Sequence, residues 1–527
     1  MYSVPSTSTV WASEAMVCSV DHLASSAGLR ALERGGSAAD AAIAANAVLT
    51  VTSQHMCGLG GDLWALVHHA GSDGVECLNA SGRAGSGADP DKLRADGHTT
   101  MPYRDSVHTA PVPGCVDGWG ALHERHGRLE FASLFDDAIE LAANGFAASQ
   151  QLAAATKVVA NVAGNTALAN RAPGDLVRRK NVARVLKTIA SQGRDGWYGG
   201  EFGEALLALG AGEYTEADVR ASHADWVDAV RLDAWGHQLW TAPPNSQGYL
   251  SLAGASIAAG LDLPTDPNNP LFAHYLIEAS RAAAFDRSDV LHETADPAAL
   301  LDAELLASRR ARINPDTAVD WGDTHADGGT MYMCVVDGDG MGVSLIQSNA
   351  AGFGCHLMVG DTGVFLHNRG IGFNLNPGHP GEYGPGRRPP HTLSPALVTN
   401  SDGSLRSVLG TMGGDAQPQV VLQMLARMLH VEESPGAILS APRFALASPA
   451  QGSGFDTWSA GGDVLVRLEP HAEGWADVLT QKGHRVEVAK ISEMSGFGHA
   501  HLIAVTESGA RAGASDPRAY ASAALGR

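Results

Sequence analysis

A threonine hydroxyl is a poor nucleophile unless a base lies beside it. A threonine at a chain's N-terminus carries that base as its own α-amine, whose pKa lies near neutrality. Thr330 stands where such a terminus could be made, directly after Gly328-Gly329 and at the head of the β-leaning run TMYMCVV. The two glycines let the backbone distort for attack of the hydroxyl on the preceding carbonyl, so the expected cleavage site lies between Gly329 and Thr330. Asp337-Gly338-Asp339-Gly340 separates this run from MGVSLIQS, a hairpin signal. If Val336 pairs with Met341 across a four-residue turn, Gln347 falls opposite Thr330 and Ser348 beside it. Ser348 is then placed to orient the amine or hydroxyl. A threonine after glycine at a strand start is ordinarily structural, so this pattern alone leaves both readings open.

The elements around these residues divide near Thr330. From Asp21 to Val51 the chain reads as helix, broken at Gly35-Gly36 and restarted by Ser37, a good N-cap. The restarted stretch is apolar on nearly every face and should be buried. CGLGGDLWALVHH reads as a Gly-rich turn feeding a strand, not the strand-to-helix turn of a dinucleotide loop. Helical patterns continue through ASLFDDAIELAANG, Arg178–Lys187, SLAGASIAAG and PLFAHYLIEASRAAAFDRSDV. The segment 314–329 is polar and Gly/Asp-rich, reading as an exposed loop and the best boundary in the chain. Strands are expected at TGVFLHN, HTLSPALVTN and LRSVLGTMGG, then a helix from Val420 to His430. Helices followed by strands suggest stacked α and β layers.

Composition removes several alternatives. A net charge of −21 disfavours nucleic acid and anionic membranes, which need clustered Lys and Arg. No apolar stretch reaches the length of a membrane span, and the N-terminus lacks a basic region followed by an apolar run, so a cytoplasmic location is expected. The six cysteines include no CxxC pair and read as buried thiols. His499 and His501 alternate as metal ligands on a strand can, but without companions they read as a surface or supporting pair. His68 and His69 project to opposite strand faces and cannot easily share an ion. There is no GxSxG, Walker loop or HExxH. Asp415 reads equally as a loop-orienting group or a solvated helix-start carboxylate.

GTMYMCVVDGDGMGVSLIQS, FGCHLMVGDTGVFLHNR, GPGRRPPHTLSPALV and LGTMGGDAQPQVVLQM resemble the γ-glutamyltransferase (γ-glutamyl transpeptidase) family of N-terminal nucleophile hydrolases. LERGGSAADAAIAANAVLTV, MCGLGGD, NASGRA and VPGCVDGWGALHERHG extend the resemblance over nearly the whole chain. It implies an α+β fold, a four-layer αββα sandwich. It also implies a proenzyme that cuts itself into a large piece, residues 1–329, and a small piece, residues 330–527. The resemblance matches Thr330 to the nucleophile, Ser348 to a supporting hydroxyl, and Gly413 and Gly414 to backbone donors for the oxyanion. Two glycines between a strand and a helix suit that role, although they suit a plain turn equally well.

The departures from the family pattern concern the substrate. Where transpeptidases place a carboxylate to grip an α-amine, this chain has Gly372, with Arg369 as the preceding charged position. Arg83 sits two positions from the family's substrate-carboxylate arginine, with Ser81 nearer that slot. The family's paired serines become His391 and Thr392, and the lid segment shortens to GHPGEYGPGRRPP. These features are similar to the branch containing glutathione hydrolase-like proteins, cephalosporin acylases and oxamate amidohydrolase. The expected substrate is a small amide bearing a carboxylate, held by Arg83, Arg369, His391 and Thr392, without metal or cofactor. Glutathione hydrolysis with transpeptidation and a non-catalytic family member are the alternatives. The same resemblance is compatible with a homodimer of processed units.

Overall fold

The computed structural model describes residues 6–322, 330–447 and 464–527. Among them two seven-stranded sheets stack face to face, every neighbouring pair antiparallel. One sheet has at its centre Met331–Val336, Gly342–Ser348 and Asp62–His68; the other centres on Ala500–Val505, Leu405–Thr411 and Ala396–Thr399. Both sheets mix strands from either side of residue 330, so neither segment could complete a sheet alone.

Strict side-chain alternation produces the layers. Along Met331–Val336, Met331, Met333 and Val335 face a helical layer, while Tyr332, Cys334 and Val336 face the other sheet. Trp64 and Leu66 join the same inter-sheet core, and Leu63, Ala65 and Val67 the helical one. A third core packs Tyr249–Ala259, Pro270–Ala284 and Gln417–Leu429 against the second sheet. Helix, sheet, sheet, helix: the chain is an αββα sandwich.

The helix Ala38–Thr52 is buried at every position, as its all-round apolar pattern requires. Its alanines permit close packing, and Ser37 closes a capping box with Asp40, an interaction whose removal costs about 1 kcal/mol. At Gly61, a Cβ would meet the Ser348 carbonyl oxygen at 2.3 Å. That absent side chain lets the turn before Asp62 lie against the end of the neighbouring strand.

Four expectations need correction. Val336 pairs with Gly342 instead of Met341, because the Asp337 carboxylate accepts from both Asp339 N and Met341 N and draws Met341 into a five-residue loop. Carried one step further, this register sets Ser348, not Gln347, across from Thr330. TGVFLHN forms isolated bridges instead of a strand, through Phe365 and Leu366. Trp321, in the expected exposed loop, is buried with its indole N–H on Glu278; the part of that loop from 323 to 329 lies outside the described residues. The expected helix near Val420 starts earlier, spanning Gln417–Leu429.

Candidate active site

Thr330 immediately precedes its strand and is completely buried. Its Oγ1 lies 3.3 Å from Ser348 Oγ and accepts a hydrogen bond from Gln417 Nε2 at 3.2 Å. Gln417 is itself fixed, accepting from Ser394 N at 3.0 Å, and Ser348 Oγ accepts from Ala350 N at 2.8 Å. The hydroxyl is therefore held from two sides by groups whose own positions are set. Gly329 lies outside the described residues.

Gly413 and Gly414 follow the strand Leu405–Thr411, with φ of 137° and 54°. Both values fall where glycine is favoured, so the backbone turns here without strain and enters a short 3-10 turn and the helix Gln417–Leu429. Gln247 clamps this turn, donating to the carbonyls of Gly414 and Thr392, both at 3.0 Å. Backbone N–H groups at such a helix start favour developing negative charge.

A cavity of about 1010 Å³ opens beside this turn, its wall including Arg369, Arg287, Arg104, Thr392, Gly372 and Asp415. Arg369 comes from the turn Arg369–Gly372 and is 1% exposed. It donates through Nε to Asp62 Oδ2 at 2.7 Å and through Nη1 to Thr392 Oγ1 at 2.8 Å. Its buried Nη2 has no hydrogen-bond partner among the described residues. Asp62, the first residue of its strand, also meets His391 Nε2 at 3.0 Å and His367 Nδ1 at 3.5 Å. Burial alone would raise the Asp62 pKa, but Arg369 and His391 outweigh it and hold the carboxyl well below the usual range. His391 is pushed down to about 4, by burial first and then by the Arg369 charge, so it is neutral at pH 7.

Two expected substrate contacts lie elsewhere. Arg83 is outside the cavity wall, donating to Glu293 Oε1 at 2.5 Å and to the Gly386 carbonyl, with Asp225 at 3.8 Å. Its side chain is 36% exposed, so acidic neighbours capture it at the surface. Ser81 is buried on Asn79 and likewise outside the wall. His391 faces Asp62 and the edge of Trp64, supporting Arg369 without lining the cavity. Thr392 does line it.

Residue patterns missed four contributors. Asp62 stood in the quoted GLGGD but without a role, and its place after the glycine pair at a strand start was the available signal. Arg287 lay in a stretch read only as helix; it is 5% exposed, and Asp415 Oδ1 lies 3.7 Å away. Gln247 and Gln417 carry no signal at sequence level, since amides act here purely through placement. Asp415 itself is 2% exposed, which excludes the solvated reading. His499 and His501 are also buried, not a surface pair; His499 bonds Ser495 at 2.9 Å, and His501 stacks over Tyr332.

Four layers, with a threonine at the head of a central strand and a glycine turn beside it, define an N-terminal nucleophile hydrolase. The chain belongs to the gamma-glutamyltranspeptidase family, whose model matches residues 24–526. It is 33% identical to the glutathione hydrolase-like YwrD proenzyme of Bacillus subtilis, over 95% of this chain and 97% of that protein. It is 34% identical to the oxamate amidohydrolase proenzyme of Klebsiella pneumoniae, over 97% and 98% of the two chains. Among solved structures, the cephalosporin acylase from Bacillus halodurans superposes with a TM-score of 0.89 at 29% identity, covering 100% of this chain and 98% of that one. Among the described residues, no helix is long and apolar enough to cross a membrane.

Proposed function

We propose that this enzyme cleaves itself between Gly329 and Thr330 and then hydrolyses the amide of a small acid bearing a carboxylate. The fragments would be residues 1–329 and 330–527, held together by the two sheets to which both contribute strands. In processing, Thr330 Oγ attacks the Gly329 carbonyl, the peptide nitrogen leaves as the new α-amine, and water hydrolyses the resulting ester. In turnover that amine accepts the Oγ proton as Oγ attacks the substrate carbonyl. The N–H groups of Gly413 and Gly414 stabilise the oxyanion, the amine product departs with a proton, and water releases the acid. Gln417 and Ser348 hold Oγ throughout. Relatives named as proenzymes, an oxamate amidohydrolase among them, support this reading.

The observation that carries the substrate class is Arg369. Its charge is buried and anchored on Asp62, the residue lines the cavity, and its Nη2 has no hydrogen-bond partner among the described residues. A guanidinium so placed matches a carboxylate, which can accept from two of its nitrogens. Six buried, unpaired cysteines fit a reducing cytoplasm.

Asp415 favours a second reading, a glutathione-type hydrolase. Asp415 lines the cavity, its buried carboxylate oxygens have no hydrogen bond among the described residues, and beside Arg287 at 3.7 Å it would still offer an oxygen to a substrate ammonium. The two readings separate in one panel: oxamate and monoamides of dicarboxylic acids against γ-glutamyl anilide and glutathione. Turnover confined to the γ-glutamyl compounds would reject the first reading. Thr330→Ala should remain one band near 54.6 kDa on a denaturing gel, while the native protein gives two fragments, the smaller beginning with threonine. Normal cutting of that variant would break the mechanism at its first step.

A further inference from the structure

The strand that begins at Asp62 ends at His68, and a second chemical cluster sits at that far end. Seven residues at about 3.3 Å each place it roughly 20 Å from the Asp62 end of the strand. His69 follows the strand directly, Glu76 lies on the next strand, Val75–Ala80, and His126 is the last residue of the helix Cys115–His126. We propose that His69, Glu76 and His126 bind a divalent transition ion such as Zn²⁺.

Distances carry the proposal. Three ligand atoms at ordinary Zn–N and Zn–O lengths in a tetrahedron stand about 3.3 Å apart. His69 Nε2 lies 3.1 Å from His126 Nδ1 and 3.5 Å from Glu76 Oε1, while the other ring nitrogen of His126, Nε2, lies 3.7 Å from that oxygen, so whichever nitrogen of His126 serves, one side of the triangle must close slightly around an ion. Taken one from each residue, the donor atoms all lie within 4.8 Å of one another, and small rotations of the partly exposed His69 and Glu76 side chains would bring them onto one ion. The two imidazoles can share only one proton, and an ion would replace that proton and take a lone pair from each ring. A fourth position is left for water or a further ligand.

The surroundings are those of a prepared site. Glu76 gives its other oxygen, Oε2, to Arg125 at 2.6 Å, which fixes the carboxylate and leaves Oε1 turned to the rings. Arg125 is in turn stacked on Trp226, 4.0 Å from the ring centroid, and the same indole meets His126 edge-on at 5.4 Å. Ser72 holds the turn after His69 by donating to the His69 carbonyl at 2.8 Å. Register keeps the donors together, because Glu76 pairs with Val67 two residues before His69. The last turn of the helix adds carbonyl dipoles that favour a cation. His68, the neighbour on the opposite face, is engaged separately on the Gly403 carbonyl at 2.9 Å. Remote from the nucleophile, an ion here would clip two strands to a helix and act on stability, leaving the reaction to Thr330.

The test uses the processed, tag-free protein after treatment with a chelator. Co²⁺ should produce the visible absorption of a low-coordinate, imidazole-ligated ion at one equivalent, and Zn²⁺ should abolish it by competition. His69→Ala and Glu76→Gln, both at partly exposed side chains, should each weaken Zn²⁺ binding at least tenfold by calorimetry while leaving fragment formation intact. Zn²⁺ should raise the midpoint of thermal unfolding of the native protein and not of either variant. Absence of one-equivalent binding overturns the proposal, and so does an isotherm that neither variant changes.

Discussion

Arg369 and Arg83 occupy opposite kinds of environment. Arg369 is buried, tied to one fully buried carboxylate, and keeps a donor without a partner among the described residues. Arg83 is over a third exposed and faces two carboxylates and a carbonyl. A buried charge with an incomplete set of partners is costly unless something binds there, whereas an exposed ion pair contributes little and is screened. The difference teaches that an arginine's fitness to recognise a carboxylate depends on what remains unsatisfied after folding. Its presence in a suitable segment is not enough.

That contrast can be broken most directly at Arg369. Arg369→Met should lower kcat/KM for the carboxylate-bearing amide by roughly 10²- to 10³-fold, as expected when a buried ionic contact is removed. Steady-state kinetics within threefold of native would mean that Arg369 is only structural. Asp62→Asn should come next: without its counter-ion Arg369 loses orientation, and a rise in KM should account for most of a 10- to 100-fold fall. The same change should destabilise the fold by about 3 kcal/mol in urea titrations, because it leaves a buried cation unpaired. An unchanged KM would detach Asp62 from substrate recognition.

The buried side should also carry acid sensitivity. His391 has a folded pKa of about 4 against about 6.5 unfolded, so the unfolded chain binds its proton first. Its contribution is complete above pH 6.5 and is lost as pH falls toward 4, at up to about 1.4 kcal/mol per pH unit. Asp62, depressed in the folded state, adds stability above the ordinary carboxylate range that is lost only at still lower pH. His391→Gln should therefore flatten the stability profile between pH 6.5 and 4, and a profile as steep as native would refute the assignment. The smallest effect is expected at Arg83. Arg83→Ala should leave kcat/KM within about threefold and stability within about 1 kcal/mol. A hundredfold loss there would reverse the comparison.

Several of these features were readable from residue patterns and several were not. Ser37, the apolar helix behind it and the alternation around Thr330 express local rules, so they appear in the sequence directly. The hairpin register shifted by one because a single side chain, Asp337, captured the amide of Met341. Turn length decides register, and turn length here depended on a hydrogen bond. TGVFLHN had strand composition but makes only isolated bridges among the described residues. Asp62, Arg287, Gln247 and Gln417 became visible only once strands and helices far apart in the chain had been brought together.

The sequence by itself determined the layer chemistry and the position of Thr330 behind two glycines, because periodicity and backbone freedom are properties of neighbouring residues. Only the tertiary structure decided which arginine meets the cavity and which is captured by Glu293 and Asp225. The reason is that burial and partner exchange set the energy of a charge, and both are fixed by residues hundreds of positions away.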